Sequence, residues 1–242
     1  MQSQAEKGLT GPTETVLDDI TQIIRTQISV AQKLNVPLFL LGHSMGGAQV
    51  LQYASKGPPD VRAQIRGYLI ESPLVALHPS TQPSKFIEVA GKMSARFLPK
   101  RQMVQHLEPK WISRDEQVCK EYLADGLCHD TGTLEGLAGM LQRASELDSG
   151  LVMPTEGRFW VGHGDQDHIT NYESSKRFFE RLHGKVTDKE FKTYEGQYHK
   201  LHAEPGEDKI AFANDVATWI LARSGDEPEQ EQEEEQVATS KL

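Results

Sequence analysis

The sequence predicts an α/β protein, a mostly parallel sheet flanked by helices, and three observations carry that expectation. Short apolar runs alternate along the chain with stretches whose apolar residues recur at three- and four-residue spacing, the order that builds parallel strands joined by helical crossovers. A glycine-rich turn, Gly42-His43-Ser44-Met45-Gly46-Gly47, lies between one such run and one such stretch. A block from about 79 to 150 abandons the alternation and reads as helical, which makes it an insertion over the carboxyl edge of the sheet.

Residues 1–12 read as a loose lead-in, and the folded body as 13–223. From Thr13 onward, Val16, Ile20, Ile23, Ile24, Ile28, Ala31 and Leu34 form the apolar face of an amphipathic helix, introduced by Pro12 with a Thr as cap candidate. Val36-Pro37-Leu38-Phe39-Leu40-Leu41 is continuously apolar, the pattern of a strand buried on both faces. After the glycine-rich turn a helix resumes over Ala48 to Ser55. Gly67 to Glu71 reads as the next strand, ended by Ser72-Pro73. Further strands are expected at Arg158–Val161 and Glu190–Tyr194, with a helix carrying Phe178, Phe179 and Leu182 between them. Another helix follows, with Ile210, Phe212, Val216, Trp219 and Ile220. The insertion carries Phe86, Ile87, Met93, Phe97, Leu98, Met103, Leu107, Trp111, Leu137, Met140 and Leu141. The tail, 224–242, is Glu/Gln-rich, lacks aromatics and buries too little to fold.

Charge and composition exclude several classes. Of the 242 residues, 26 are Lys or Arg and 35 Asp or Glu, a net charge of −9. Seven of those acids crowd into Asp226 to Glu235, so the body is nearly neutral and has no basic surplus for nucleic acid. The longest apolar run is far short of the ~20 residues a spanning helix needs, and Met1 to Pro12 lacks a signal peptide's apolar centre. Cys119 and Cys128 suit neither a disulfide framework nor a metal pair and are expected as reduced, buried small side chains. With no phosphate-binding glycine loop and no His-Glu-x-x-His helix, neither a cofactor nor a metal is expected.

The chemistry concentrates at three loops. Gly42 to Gly46 fits the G-x-S-x-G turn between strand and helix, where Gly42 and Gly46 avoid collision with neighbouring backbone and the Ser44 hydroxyl is lifted to the sheet edge. The Met45 N–H, at the start of the next helix, is then an oxyanion donor. A serine nucleophile needs a base, and the base an orienting carboxylate. After the Phe159-Trp160-Val161 strand, Asp165 and Asp167 both stand where the acid belongs; after the Phe191 strand, His199 and His202 compete for the base.

Taken with Glu71-Ser72-Pro73, His163-Gly164 before Asp167 and Thr170, and Tyr198-His199 before Leu201 and Glu204, these motifs resemble the monoacylglycerol lipase, lysophospholipase-like branch of the α/β-hydrolases, from about residue 10 to 222. The resemblance implies Ser44 as nucleophile, Asp167 as acid and His199 as base, with 79–150 as a helical cap over an acyl-ester substrate. Cap apolarity would also support transient contact with a lipid surface. Alternatives are a peptidase of the same superfamily and a catalytically impaired chain that binds lipid or a partner.

In that family several strands and a His-Gly-x-Gly loop, the source of a second oxyanion donor, precede the nucleophile strand. Here 35 residues precede Val36 and hold no such loop. The chain is therefore expected to be the C-terminal part of such a hydrolase, with either an upstream start or impaired activity, and with the Val36–Leu41 strand left as an apolar edge. Ser240-Lys241-Leu242 is the tripeptide that a peroxisomal import receptor reads, so the peroxisome is the expected location, with cytoplasm or lipid droplet as alternatives.

Overall fold

Helix α1 (Thr13–Leu34) follows Pro12 and stops at Asn35, whose left-handed φ of 51° turns its own N–H back onto Gln32 and that of Val36 onto Ala31. Among the described residues no side chain caps the start. Thr13 lies inside the first turn, and its hydroxyl instead accepts from the buried Arg143 guanidinium at 3.3 Å. The structure is a computed structural model that describes residues 8–82, 93–186 and 188–225. Phe86, Ile87, nearly all of the tail and Ser240-Lys241-Leu242 lie outside the described residues.

The chain then runs β1 (Leu38–His43), α2 (Met45–Lys56), α3 (Pro59–Arg62) and β2 (Ile65–Glu71). Beyond the insertion come β5 (Phe159–Gly164), α6 (Tyr172–Arg181), β6 (Lys189–Tyr194) and α7 (Glu207–Ala222). The four strands form one parallel sheet in the order β1-β2-β5-β6. Side chains alternate across it, as the two-residue repeat of a strand requires. Tyr68, Ile70, Phe159 and Val161 face a core shared with Ile24 of α1, Val50, Leu51 and Tyr53 of α2, and Phe178 of α6. Leu69, Trp160 and Tyr194 face Phe212 and Trp219 of α7. Gly67 is required there, since a Cβ would stand 2.6 Å from the Trp219 ring.

Several expectations need correction. β1 is not buried on both faces: it forms the edge of the described sheet, and Leu41 is 49% exposed. Helix α2 starts at Met45 rather than Ala48, with Gly46 and Gly47 in its first turn. The insertion is not wholly helical. β3 (Gln102–Val104) pairs antiparallel with β4 (Thr131–Thr133), and α4 (Glu116–Ala124) lies between them. The lead-in is tied down at its end, because the Gly8 carbonyl accepts from the N–H and hydroxyl of Thr133. Helix α5 (Leu134–Asp148) packs on the body, with Ala144 and the fully buried Leu147 in the main core and the Arg143 carbonyl accepting from Gln52 on α2. Neither cysteine is buried as expected: Cys119 is half-buried and Cys128 exposed.

Candidate active site

All four strands of the main sheet are parallel, so their carboxyl ends share one edge, and every candidate residue follows one of those ends. His43 of β1 lies opposite Glu71 of β2, Glu71 opposite Gly162 of β5, and Gly164 opposite Tyr194 of β6. Ser44 follows β1 directly, with φ 56° and ψ −121°, a conformation that L-residues rarely adopt. Its peptide is held on both sides: the N–H donates to the Glu71 carbonyl at 2.9 Å, and its carbonyl accepts from Leu74 at 2.9 Å. Gly42 is obligatory, since a Cβ would collide with the Gly46 carbonyl and stand 2.7 Å from Val50. Gly46, expected to be needed for the same reason, is not: a Cβ there would meet nothing within 4 Å among the described residues. Met45 opens α2, so its N–H is among the helix-start donors without a partner inside the helix.

The two acid candidates separate cleanly. Asp165 serves a turn, accepting from the Gly196 N–H at 2.7 Å. Asp167 is buried, and its carboxylate collects five donors. Oδ1 accepts from the N–H groups of Ile169 and Thr170, and Oδ2 from His199 Nδ1 at 2.7 Å, the Thr170 hydroxyl at 2.7 Å and His163 Nε2 at 3.0 Å. Burial alone would favour the protonated acid. The charge of His199 and the hydrogen bonds from His163 and His199 outweigh it and hold the carboxyl far below its ordinary range. An ionised Asp167 fixes the proton of His199 on Nδ1, which leaves Nε2 as the basic nitrogen.

The two base candidates separate as well. His202 turns away from Asp167 and donates from Nδ1 to the buried Glu71 at 2.8 Å; its N–H reaches the same carboxylate at 3.2 Å. The structure therefore joins Asp167 to His199 and sets His202 aside. His43, between Gly42 and Ser44, donates from Nε2 to the His199 carbonyl at 3.1 Å, and the two rings lie 4.6 Å apart. This contact ties the serine turn to the His199 loop.

Sequence reasoning missed His43, His163 and Thr170 as supports. All three lie within the motifs of the resemblance, but nothing in their spacing tells which loop each meets. No group of three or more His, Cys, Asp or Glu side chains among the described residues is arranged to hold a metal ion.

Burial, followed by the neighbouring His199, lowers the His43 pKa to about 4. The unfolded chain takes up that proton near 6.5, so stability rises with pH between about 4 and 6.5 and is lost on acidification through that window. The carboxylates of Glu71 and Asp167, both lowered, add losses only below their unfolded values. Going from pH 7.5 to 5 is expected to cost about 1–2 kcal/mol through His43, seen as a urea midpoint lower by roughly 0.5 M. His43→Gln, which keeps a donor for the His199 carbonyl, is expected to flatten that dependence. A midpoint equally pH-sensitive in the variant contradicts the assignment.

Comparison with known proteins gives a consistent set. Residues 2–206 match the hydrolase family model described as "Serine aminopeptidase, S33". A putative monoglyceride lipase of Schizosaccharomyces pombe is 31% identical over 223 residues, which is 90% of this chain and 56% of that protein. The monoglyceride lipase of Saccharomyces cerevisiae is 27% identical over 214 residues, 85% of this chain and 67% of that one. The crystal structure of a soluble variant of the yeast enzyme with a substrate analog superposes with a TM-score of 0.84 at 25% identity, covering 94% of this chain and 75% of that one. The chain thus spans about half the length of the fission-yeast relative and about two thirds of the Saccharomyces cerevisiae one.

Proposed function

We propose that this chain, which belongs to the serine aminopeptidase S33 family of α/β-hydrolases, hydrolyses monoacylglycerols or similar acyl esters with Ser44 as nucleophile, His199 as base and Asp167 as its orienting acid. The observation that carries the reading is the buried Asp167–His199 pair, 2.7 Å between Oδ2 and Nδ1, at the same sheet edge as the strained Ser44 turn.

The steps follow from the tautomer. His199 Nε2 takes the Ser44 proton as Oγ bonds to the ester carbonyl carbon, a contribution of about 10²–10⁴ for positioned base catalysis. The carbonyl oxygen becomes an oxyanion that the Met45 N–H stabilises. The C–O bond to the glycerol side then breaks, and His199 returns the proton to the departing alkoxide. Water attacks the acyl-enzyme with the same imidazole as base, releasing the fatty acid and restoring Ser44. Asp167, with its five donors, keeps Nδ1 protonated throughout.

Similarity to monoglyceride lipases supports the ester substrate, and the exposed Phe97 and Leu98 of the insertion support a lipid-facing cap. The family description favours a second reading, aminopeptidase activity. Incubating the chain with monooleoylglycerol and, separately, with an aminoacyl-nitroanilide distinguishes the two. Oleate release with negligible nitroaniline is the expected result; nitroaniline release without oleate would assign the chain to peptide bonds.

A further inference from the structure

We propose that Arg114 is a positioning residue for His199, acting through the buried carboxylate of Glu204; this rests on His199 being the base as read above. The Asp167 hydrogen bond sets the rotation of the imidazole. It does not by itself set where the main chain of residue 199 lies, and that position is held by three other contacts. The N–H before His199, that of Tyr198, donates to Glu204 Oε1 at 3.0 Å. The N–H after it, that of Lys200, donates to the Ile112 carbonyl at 2.8 Å. The carbonyl of His199 itself accepts from His43. Two of these three ties run to a short stretch of the insertion, residues 111–114, one directly and one through Glu204.

That stretch is built to hold the loop. Arg114 donates from Nε to Glu204 Oε2 at 2.6 Å and pairs with Asp208 through a second nitrogen. Glu204 is fully buried, so both of its oxygens are spent on this link and on Tyr198. Without the guanidinium its charge would be buried and unpaired, and the loop would have to move to expose it. Buried Ser113 donates to the Ala203 carbonyl at 2.8 Å. The Trp111 ring lies 3.8 Å from that of His168 and 5.7 Å from that of Tyr198, the residues just after the acid and just before the base. Trp111, one of the apolar residues of the insertion, is therefore in contact with the neighbours of both acid and base.

The test measures kcat and KM on monooleoylglycerol, the rate of Ser44 labelling by a fluorophosphonate, and thermal unfolding. Arg114→Ala is expected to lower kcat and the labelling rate by about 10–100-fold, the scale of an ångström-level misplacement, with KM changed less than about threefold. Arg114→Lys, which keeps a charge for Glu204, is expected to recover most of the loss. Arg62→Ala removes the Arg62–Glu156 pair, whose members precede β2 and β5 at the opposite edge of the sheet, and is expected to lower stability without lowering kcat. If Arg114→Ala does not fold, Ser113→Ala, which deletes one hydroxyl, is expected to lower kcat by about 3–10-fold with KM unchanged. A labelled wild type beside Arg114→Ala or Ser113→Ala variants of unchanged kcat overturns the brace alone, as does a kcat loss matched by Arg62→Ala. A wild type that is not labelled at Ser44 overturns the hydrolase reading, and the brace with it.

Discussion

Replacing Ser44 by Ala is expected to lower kcat for ester hydrolysis by about 10⁵–10⁶ while the protein stays folded, because in the proposed mechanism nucleophile, base and acid act as one unit and loss of the nucleophile removes all of it. The backbone at this position makes the expectation sharper. Ser44 sits at φ 56°, a strained conformation that Ala shares and Gly does not. Ser44→Gly is thus expected to be as inactive as Ser44→Ala and to unfold at higher temperature, by about 1 kcal/mol of stability. An inactive variant that gains stability marks a residue kept for chemistry against its own conformational preference. Equal stability of the two variants, measured by thermal melts at one pH, contradicts the strain argument.

Asp167→Asn is expected to lower kcat by about 10⁴ with little change in fold. The five groups around the carboxylate are all oriented to donate, and the Asn amide would direct a donor of its own at one of them. Facing His199 Nδ1, that donor would force the imidazole proton onto Nε2, where it can no longer accept from Ser44. Asp165→Asn is the matched control. Its contact is a single main-chain N–H from Gly196, which an Asn carbonyl oxygen also satisfies, so kcat is expected to change less than about threefold. Steady-state kinetics on the two variants decide between acids two residues apart in one loop. Comparable losses in both would mean that the loop as a whole, rather than the Asp167 carboxylate, is required.

The strand–turn–helix around Ser44 was legible because its glycines and its apolar run are local, and the parallel order because each strand precedes a helix of clear period. The choice between Asp165 and Asp167, and between His199 and His202, was not local. The first turns on the Gly196 N–H engaging Asp165, and the second on Glu71, a residue of another strand, capturing His202 and leaving His199 to Asp167. The apolar Leu38–Leu41 stretch reads the same whether a strand is central or at an edge, which is why the exposure of Leu41 was not legible in its pattern. β3 and β4 are three residues each, too short for an alternation to register. Helix α5 has an apolar stripe that fits a cap or a body equally well, and only the packing of Leu147 in the main core decides. Arg114 and Glu204 are 90 residues apart, and no spacing rule connects them.

The most direct measurement is labelling of the folded chain at neutral pH with a fluorophosphonate probe, followed by intact mass and peptide mapping. The expected result is a single adduct on Ser44, absent in Ser44→Ala and much slowed in Asp167→Asn. No adduct, or an adduct on another serine such as Ser72 that persists in Ser44→Ala, would contradict it.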